Sequence, residues 1–242
     1  MGLLKRLFGR DKGPDFSCSV IVPAAGSSQR MGQDKLLLPL GGVPAILVTL
    51  RALEGSAYVS EIIVVTREDL IVPLSQLCRD ARLDKVSKIV VGGETRMESV
   101  LAGLREAAPS AELIAVHDGA RPLVTTQVVD AAIEMAAKCG AAAPAVAVKD
   151  TVKLAANGVV ERTLERSQLF AVQTPQVFER GLLMAALSKA KSDGARLTDD
   201  CAAVERLGMP VHLTAGSYEN IKLTTPEDLA AAEAILERRG TV

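Results

Sequence analysis

The sequence predicts an α/β fold with a mainly parallel sheet and helices on both faces. Short β-branched runs alternate with longer Ala- and Leu-rich stretches of helical period, the pattern of βαβ units. The runs are apolar almost throughout, as in strands buried on both faces. Polar and glycine-rich residues gather where the runs end, and in such sheets ligands bind beyond the carboxyl ends of the strands.

"SVIVPA" reads as the first strand, with "PAILVTLRALEG" as the helix that follows its loop. "EIIVVT" pairs with helical "DLIVPLSQLCRDA", "KIVVGG" with "RMESVLAGLREAA", and "ELIAVHD" with "TTQVVDAAIEMAAKCG", before the strand "AAAPAVAV". The pattern changes at Asp150. In "TVKLAANGVVERTLE" two extended arms flank Asn157-Gly158, a pair suited to the positive φ angles of a tight hairpin turn. A lone two-stranded hairpin is marginal in water, so this one packs either on a second subunit or back on its own domain. "FAVQTPQVF" reads as irregular, "RGLLMAALSKAKSDG" as a helix, and "TDDCAAVERLG" as a helix capped by Thr198. The strand "PVHLTAG" precedes a last helix, "TPEDLAAAEAILERR", with Thr225 as cap and Pro226 at its first position. Residues 1–16 read as an N-terminal extension, either dispensable or a peripheral membrane or partner helix. Residues 17–240 read as one domain, with the hairpin arm at about 150–168.

Apolar residues make up 48% and charged residues 24%, the balance of an ordinary globular protein. Lys and Arg total 28 against 29 Asp and Glu, so no global field draws the chain to nucleic acid, and aromatics at 2% leave few stacking platforms for it. The four cysteines are far apart, without metal-ligand spacing, and read as thiols of a reducing, cytoplasmic compartment. No run of about 20 uncharged apolar residues suggests a membrane span, and the N-terminal stretch lacks the long apolar region of a signal peptide.

Three loops carry chemistry. In "PAAGSSQRMGQDK", Ala24, Ala25 and Gly26 leave backbone N–H groups uncovered for a phosphate or a flat base, and Arg30 and Lys35 add two cations. The stretch has neither the dinucleotide-binding nor the Walker glycine pattern, and taken alone it reads equally as a plain strand-to-helix turn. In "GGETRMESV", Gly92 and Gly93 permit close approach, while Arg96 and Ser99 open a helix whose N-terminus favours anions or polar base edges; it reads equally as a glycine turn before a surface helix. In "VHDGARP", Asp118 can hold a divalent cation or equally cap the following loop, Arg121 can bind a phosphate, and His117 points into the sheet.

Together with "KDTVK", "ERSQLFAVQTPQVF", "TDDCAAVERLG" and "ENIKLTTPEDL", these stretches resemble, in order, the 2-C-methyl-D-erythritol 4-phosphate cytidylyltransferase family over roughly residues 17–238. The resemblance implies a Rossmann-like fold of the nucleotide-diphospho-sugar transferase type with a protruding β-arm that makes a homodimer. It implies Mg²⁺-dependent transfer of CMP from CTP to a sugar-alcohol phosphate. By motif, Ala24, Ala25, Gly26, Gly93, Glu94 and Ser99 would surround cytosine and ribose. Arg30 and Lys35 would bind the triphosphate, Asp118 would place the nucleotide's Mg²⁺, and Lys222 would meet the attacking phosphate. Arg121 and Thr198 would contact the acceptor from the same chain, Thr151 and Arg166 from the partner's arm. A ribitol-5-phosphate cytidylyltransferase on the same scaffold is the alternative, and a non-catalytic nucleotide-binding protein a further one.

Overall fold

The protein is described by a computed structural model covering residues 16–26 and 36–240. The expected extension, apart from Phe16, lies outside these residues, as do Ser27, Ser28, Arg30 and Lys35.

The predicted mainly parallel sheet is observed. Its strands are β1 (Cys18–Pro23), β4 (Val59–Thr66), β5 (Val86–Val91), β6 (Leu113–Val116), β7 (Ala141–Ala147), β10 (Phe170–Val172), β11 (Gln176–Glu179) and β12 (His212–Ala215). Two-residue strands β2 (Pro39–Leu40) and β3 (Val43–Pro44) form a separate small ladder. The order across the sheet is β10-β7-β11-β6-β1-β4-β5, with β12 paired to β7. β6, β1, β4 and β5 run parallel, as do β7 and β12, while β10 and β11 run antiparallel to β7.

Side chains alternate across each strand, and this splits the core in two. Val20 and Val22 of β1, with Ile62 and Val64 of β4, face α1 (Ala45–Glu54), α2 (Ile71–Asp80), α4 (Thr126–Cys139) and α7 (Pro226–Arg239). Ile21, Ile63 and Val65 face the other way, towards α3 (Arg96–Glu106), α5 (Arg180–Ser192) and α6 (Cys201–Glu205). Helix ends follow local chemistry. Thr95 and Glu98 form a reciprocal capping box at the start of α3. Gly140 ends α4 in the left-handed region at φ 85°. At α7, Pro226 stands first, and the Asp228 carboxylate accepts the N–H groups of Thr224 and Thr225.

The hairpin forms from β8 (Lys153–Ala156) and β9 (Val159–Thr163), with Asn157 and Gly158 at φ 51° and 79°. Every residue of both strands is exposed, so the arm does not fold back on the described part of its own domain.

Two expectations are corrected. "FAVQTPQVF" is not irregular: β10 and β11 both pair with β7, on either side of a cis Thr174–Pro175 bond, and the Gln173 N–H donates to the Pro144 carbonyl between them. The helix after residue 198 starts at Cys201, not at Thr198. The Asp199 carboxylate takes the Ala202 N–H at 2.9 Å and does the capping there.

Candidate functional site

The carboxyl ends of β1, β5 and β6 meet at a cavity of about 210 Å³. That is smaller than the ~300 Å³ from which whole-ligand pockets start, room among the described residues for part of a nucleotide-sized ligand. Ala24, Ala25 and Gly26 line it from β1, Gly93, Glu94, Thr95, Arg96 and Ser99 from the β5–α3 loop, Asp118 from the end of β6, and Lys222 from the loop before α7.

Each wall is fixed by short-range chemistry. The Ala24 N–H donates to the Val65 carbonyl at 2.7 Å, and the Thr66 hydroxyl donates to the Ala24 carbonyl at 3.2 Å, which straps the first loop to β4. Gly92 packs against that loop: a Cβ on it would lie 2.7 Å from Ser99 Oγ and 3.1 Å from Ala25 Cβ. At Gly93 a Cβ would sit 2.3 Å from Glu98 Cβ. Ser99 is buried, and its hydroxyl accepts the Gly93 N–H at 3.2 Å and donates to the Thr95 carbonyl at 3.1 Å. The β5–α3 loop is thus shaped before any ligand arrives.

Asp118 is the electrostatic centre. Its Oδ2 lies 2.7 Å from Lys222 Nζ and 3.9 Å from Arg121 Nε, and its Oδ1 lies 3.3 Å from Arg96 Nη2. Burial alone would push its pKa up, but Lys222, Arg96 and Arg121 outweigh it and hold the carboxyl well below its ordinary value. It is ionised at any working pH.

Thr174 sets the backbone beneath it. Its hydroxyl oxygen accepts the Asp118 N–H at 3.1 Å and meets His117 Nδ1 at 3.1 Å. The hydroxyl proton therefore goes to Nδ1, and Nε2–H donates to the Arg121 carbonyl at 3.2 Å. Burial lowers the His117 pKa to about 4, with the Asp118 charge and the hydrogen bond to the Arg121 carbonyl opposing and the Arg121 charge assisting. His117 is a neutral structural residue, as its place in the strand suggested. The unfolded chain binds a proton below about 6.5, the folded one only below about 4. Stability supplied by this residue is thus complete above pH 6.5 and falls as the pH drops from 6.5 towards 4, by on the order of 3 kcal/mol. Urea denaturation at pH 7 and 4.5, without divalent cations, should show this loss in the wild type and a smaller one in His117→Asn.

Lys222 is placed by a clamp with no local sequence signal. Gln173 Oε1 accepts from the Ser217 N–H and Asn220 Nδ2, its Nε2 donates to the Ser217 carbonyl at 2.7 Å, and Asn220 Nδ2 also donates to the Thr174 carbonyl at 3.0 Å. The same loop is tied to β7. The Gly216 N–H donates to the Ala145 carbonyl and the Tyr218 hydroxyl to the Ala147 carbonyl, and Lys149 Nζ sits 3.6 Å above the Tyr218 ring.

Of the expected site residues, Ala24, Ala25, Gly26, Gly93, Glu94, Ser99, Asp118 and Lys222 come together around the cavity. Arg121 stands behind it, its Nη1 donating to the Asn220 carbonyl at 2.7 Å. Thr198 is exposed on the loop before α6. Thr151 and Arg166 are exposed at the base of the arm and do not line this cavity, Arg166 donating to the Lys149 carbonyl at 3.0 Å. Arg30 and Lys35 lie outside the described residues. Sequence reasoning placed Arg96 at the helix start without a site role, and gave none to Asp200, Gln173 or Asn220.

The described residues hold no group of three or more His, Cys, Asp or Glu that could cage a metal. Mg²⁺ commonly binds through one or two carboxylates plus substrate phosphates, and a single ionised Asp118 in a cavity fits that mode. No helix among the described residues is long and apolar enough to cross a membrane.

The family model for 2-C-methyl-D-erythritol 4-phosphate cytidylyltransferase (IspD) matches residues 18–238. The chain is 46% identical over 221 residues to the protein of that name from Geobacillus kaustophilus, covering 90% of this chain and 96% of that one. It is 43% identical over 223 residues to that from Halalkalibacterium halodurans, covering 91% and 97%. Among solved structures it is similar to 4-diphosphocytidyl-2C-methyl-D-erythritol synthase from Anaerococcus prevotii, with a TM-score of 0.83, 31% identity and coverage of 92% and 97%. The cytidylyltransferase structure from Thermus thermophilus matches with a TM-score of 0.76 at 33% identity, covering 92% and 100%.

Proposed function

The chain belongs to the 2-C-methyl-D-erythritol 4-phosphate cytidylyltransferase family, and from that premise we propose how its residues divide the reaction. The enzyme transfers CMP from CTP to 2-C-methyl-D-erythritol 4-phosphate, giving 4-diphosphocytidyl-2-C-methyl-D-erythritol and pyrophosphate, a step of non-mevalonate isoprenoid precursor synthesis. The matches do not favour the ribitol phosphate alternative.

The division of roles rests on one observation: a cavity walled by bare backbone on one side and by an ionised Asp118 among cations on the other. The glycine-lined loops receive cytosine and ribose. The acceptor phosphate is already anionic, so its oxygen attacks the α-phosphorus without a general base, and the bond to the pyrophosphate leaving group breaks in line. Catalysis is then positioning and charge neutralisation. Lys222 meets the attacking phosphate, Arg30 and Lys35 meet the triphosphate, and Arg121 and Thr198 contact the acceptor. Asp118 would hold magnesium carried by the nucleotide, which when bound would offset charge on the phosphates.

A homodimer, with Thr151 and Arg166 completing the partner's acceptor site, is supported by the exposed arm. Leu154, Val159 and Val160 are 42%, 68% and 55% exposed there, while Thr151 and Arg166 lie away from their own cavity. The double replacement Val159→Asp, Val160→Asp should convert a dimer in light scattering to a monomer of 25.4 kDa and abolish turnover. A cytoplasmic location agrees with four cysteines that form no disulfide.

The test is pyrophosphate release from each of the four nucleoside triphosphates, with methylerythritol phosphate, ribitol phosphate or no acceptor. Release with CTP and methylerythritol phosphate is expected. Release with ribitol phosphate instead would reassign the acceptor, and release with neither would refute the enzyme.

A further inference from the structure

Arg96 stands at the start of α3 between two carboxylates. Its Nη2 donates to Asp118 Oδ1 at 3.3 Å, and its Nη1 lies 2.8 Å from Asp200 Oδ2. A guanidinium is a rigid planar fork, so fixing one arm fixes where the other points. Asp200 is only 1% exposed, and Arg96 is the cation paired with it. Its backbone is held as well: Gln176 Oε1 accepts the Asp200 N–H at 2.9 Å and the Cys201 N–H at 3.1 Å, while Gln176 Nε2 donates to Asp199 Oδ2 at 2.8 Å. Gln176 begins β11, opposite Val116 at the end of β6, two residues before Asp118. A rigid path therefore runs from the sheet through Asp200 and Arg96 back to the carboxylate at the cavity.

Lys222 is a different kind of partner. Its side chain is 41% exposed, on a surface loop, and it can turn to a phosphate when one arrives. Arg96 keeps its second arm on a buried carboxylate and stays. A buried ion pair is weak evidence for stability, because desolvation offsets the attraction, and Asp200 does not line the cavity.

We propose that Arg96, anchored from behind by Asp200, is a positioning residue that orients the Asp118 carboxylate for the nucleotide-borne metal and thereby frees Lys222 for the acceptor phosphate. The proposal rests on the role given to Asp118 above. The rival is a purely structural tie between α3 and the loop before α6.

The test uses the full chain as wild type, Arg96→Lys, Asp200→Asn and the double variant. Calorimetry measures CTP affinity with and without MgCl₂, and steady-state assays measure kcat and both KM values. Wild-type pyrophosphate release is the control: its absence would refute the enzyme reading itself. Groups that orient a metal ligand typically cost about 10–100-fold when altered. Each single variant should lose kcat by about that factor and need about tenfold more Mg²⁺ for half its effect on CTP affinity. Metal-free CTP affinity should stay within about threefold, and the double variant should be no worse than the poorer single, as for residues acting as one unit. An unchanged Mg²⁺ response in folded Arg96→Lys overturns the proposal, and so does metal-free CTP affinity falling as far as kcat, which would make Arg96 a nucleotide contact. If Arg96→Lys does not fold, near-isosteric Asp200→Asn decides: a lowered melting temperature with a wild-type Mg²⁺ response leaves only the structural tie.

Discussion

Asp118→Asn is expected to lower kcat about 10³-fold, the scale of removing a group that organises charge in a phosphoryl-transfer site. The amide keeps the shape but not the charge. Lys222 and Arg96 then face a neutral group, and with Arg121 they form three cations without their shared counter-charge. Breaking a buried pair costs about 3–5 kcal/mol. The lower end applies here, because the Lys222 partner is partly exposed and water screens it. Single-turnover pyrophosphate release, on protein shown to be folded by its melting transition, is the measurement. A loss of less than about tenfold would remove Asp118 from the chemistry.

Gly93→Ala is expected to raise the KM for CTP about 10–100-fold with a smaller effect on kcat, as for a displaced positioning element. The new Cβ would sit 2.3 Å from Glu98 Cβ, and Glu98 has little room to retreat. Its carboxylate accepts the Thr95 N–H at 3.3 Å and pairs with Lys191 of α5 at 3.2 Å. The loop must move instead, and it forms one wall of the cavity proposed to take the nucleotide. Gly26→Ala is the matched comparison, since no described residue has an atom within 4 Å of a Cβ there. It should leave the melting temperature unchanged, so any loss of CTP affinity measures close approach by the ligand itself. Equal CTP affinity in Gly93→Ala and wild type would show that the β5–α3 loop does not shape the site.

The parts of this site that were legible in the sequence are those whose reasons are local. Gly92, Gly93 and the bare turn at 24–26 follow strands, and their need for small residues is written in adjacent positions. The Asn157-Gly158 turn and the capping residue of α7 are local in the same way. "FAVQTPQVF" was misread because Pro175 argues against a strand, whereas tertiary pairing with β7 decides the matter. Thr198 was misread because three capping-type residues stand in a row, and the choice of Asp199 is made by the chain's path back to Gln176, which binds it. Asp200 and Gln176 are 24 residues apart, and Gln173 and Asn220 are 47 apart. No spacing rule announces such pairs, since each is created by strand order.

The attachment of the Lys222 loop to β7 bears on engineering. That strand carries Gly216 and Tyr218 through the Ala145 and Ala147 carbonyls, and just beyond its end the chain enters the arm with Thr151 and Arg166. Two of the groups proposed to meet the acceptor thus hang from one scaffold segment. To graft a new acceptor preference from a relative, residues 145–166 and 216–222 should move together, along with positions 121 and 198. Swapping individual contact residues would leave each donor side chain on a foreign mount.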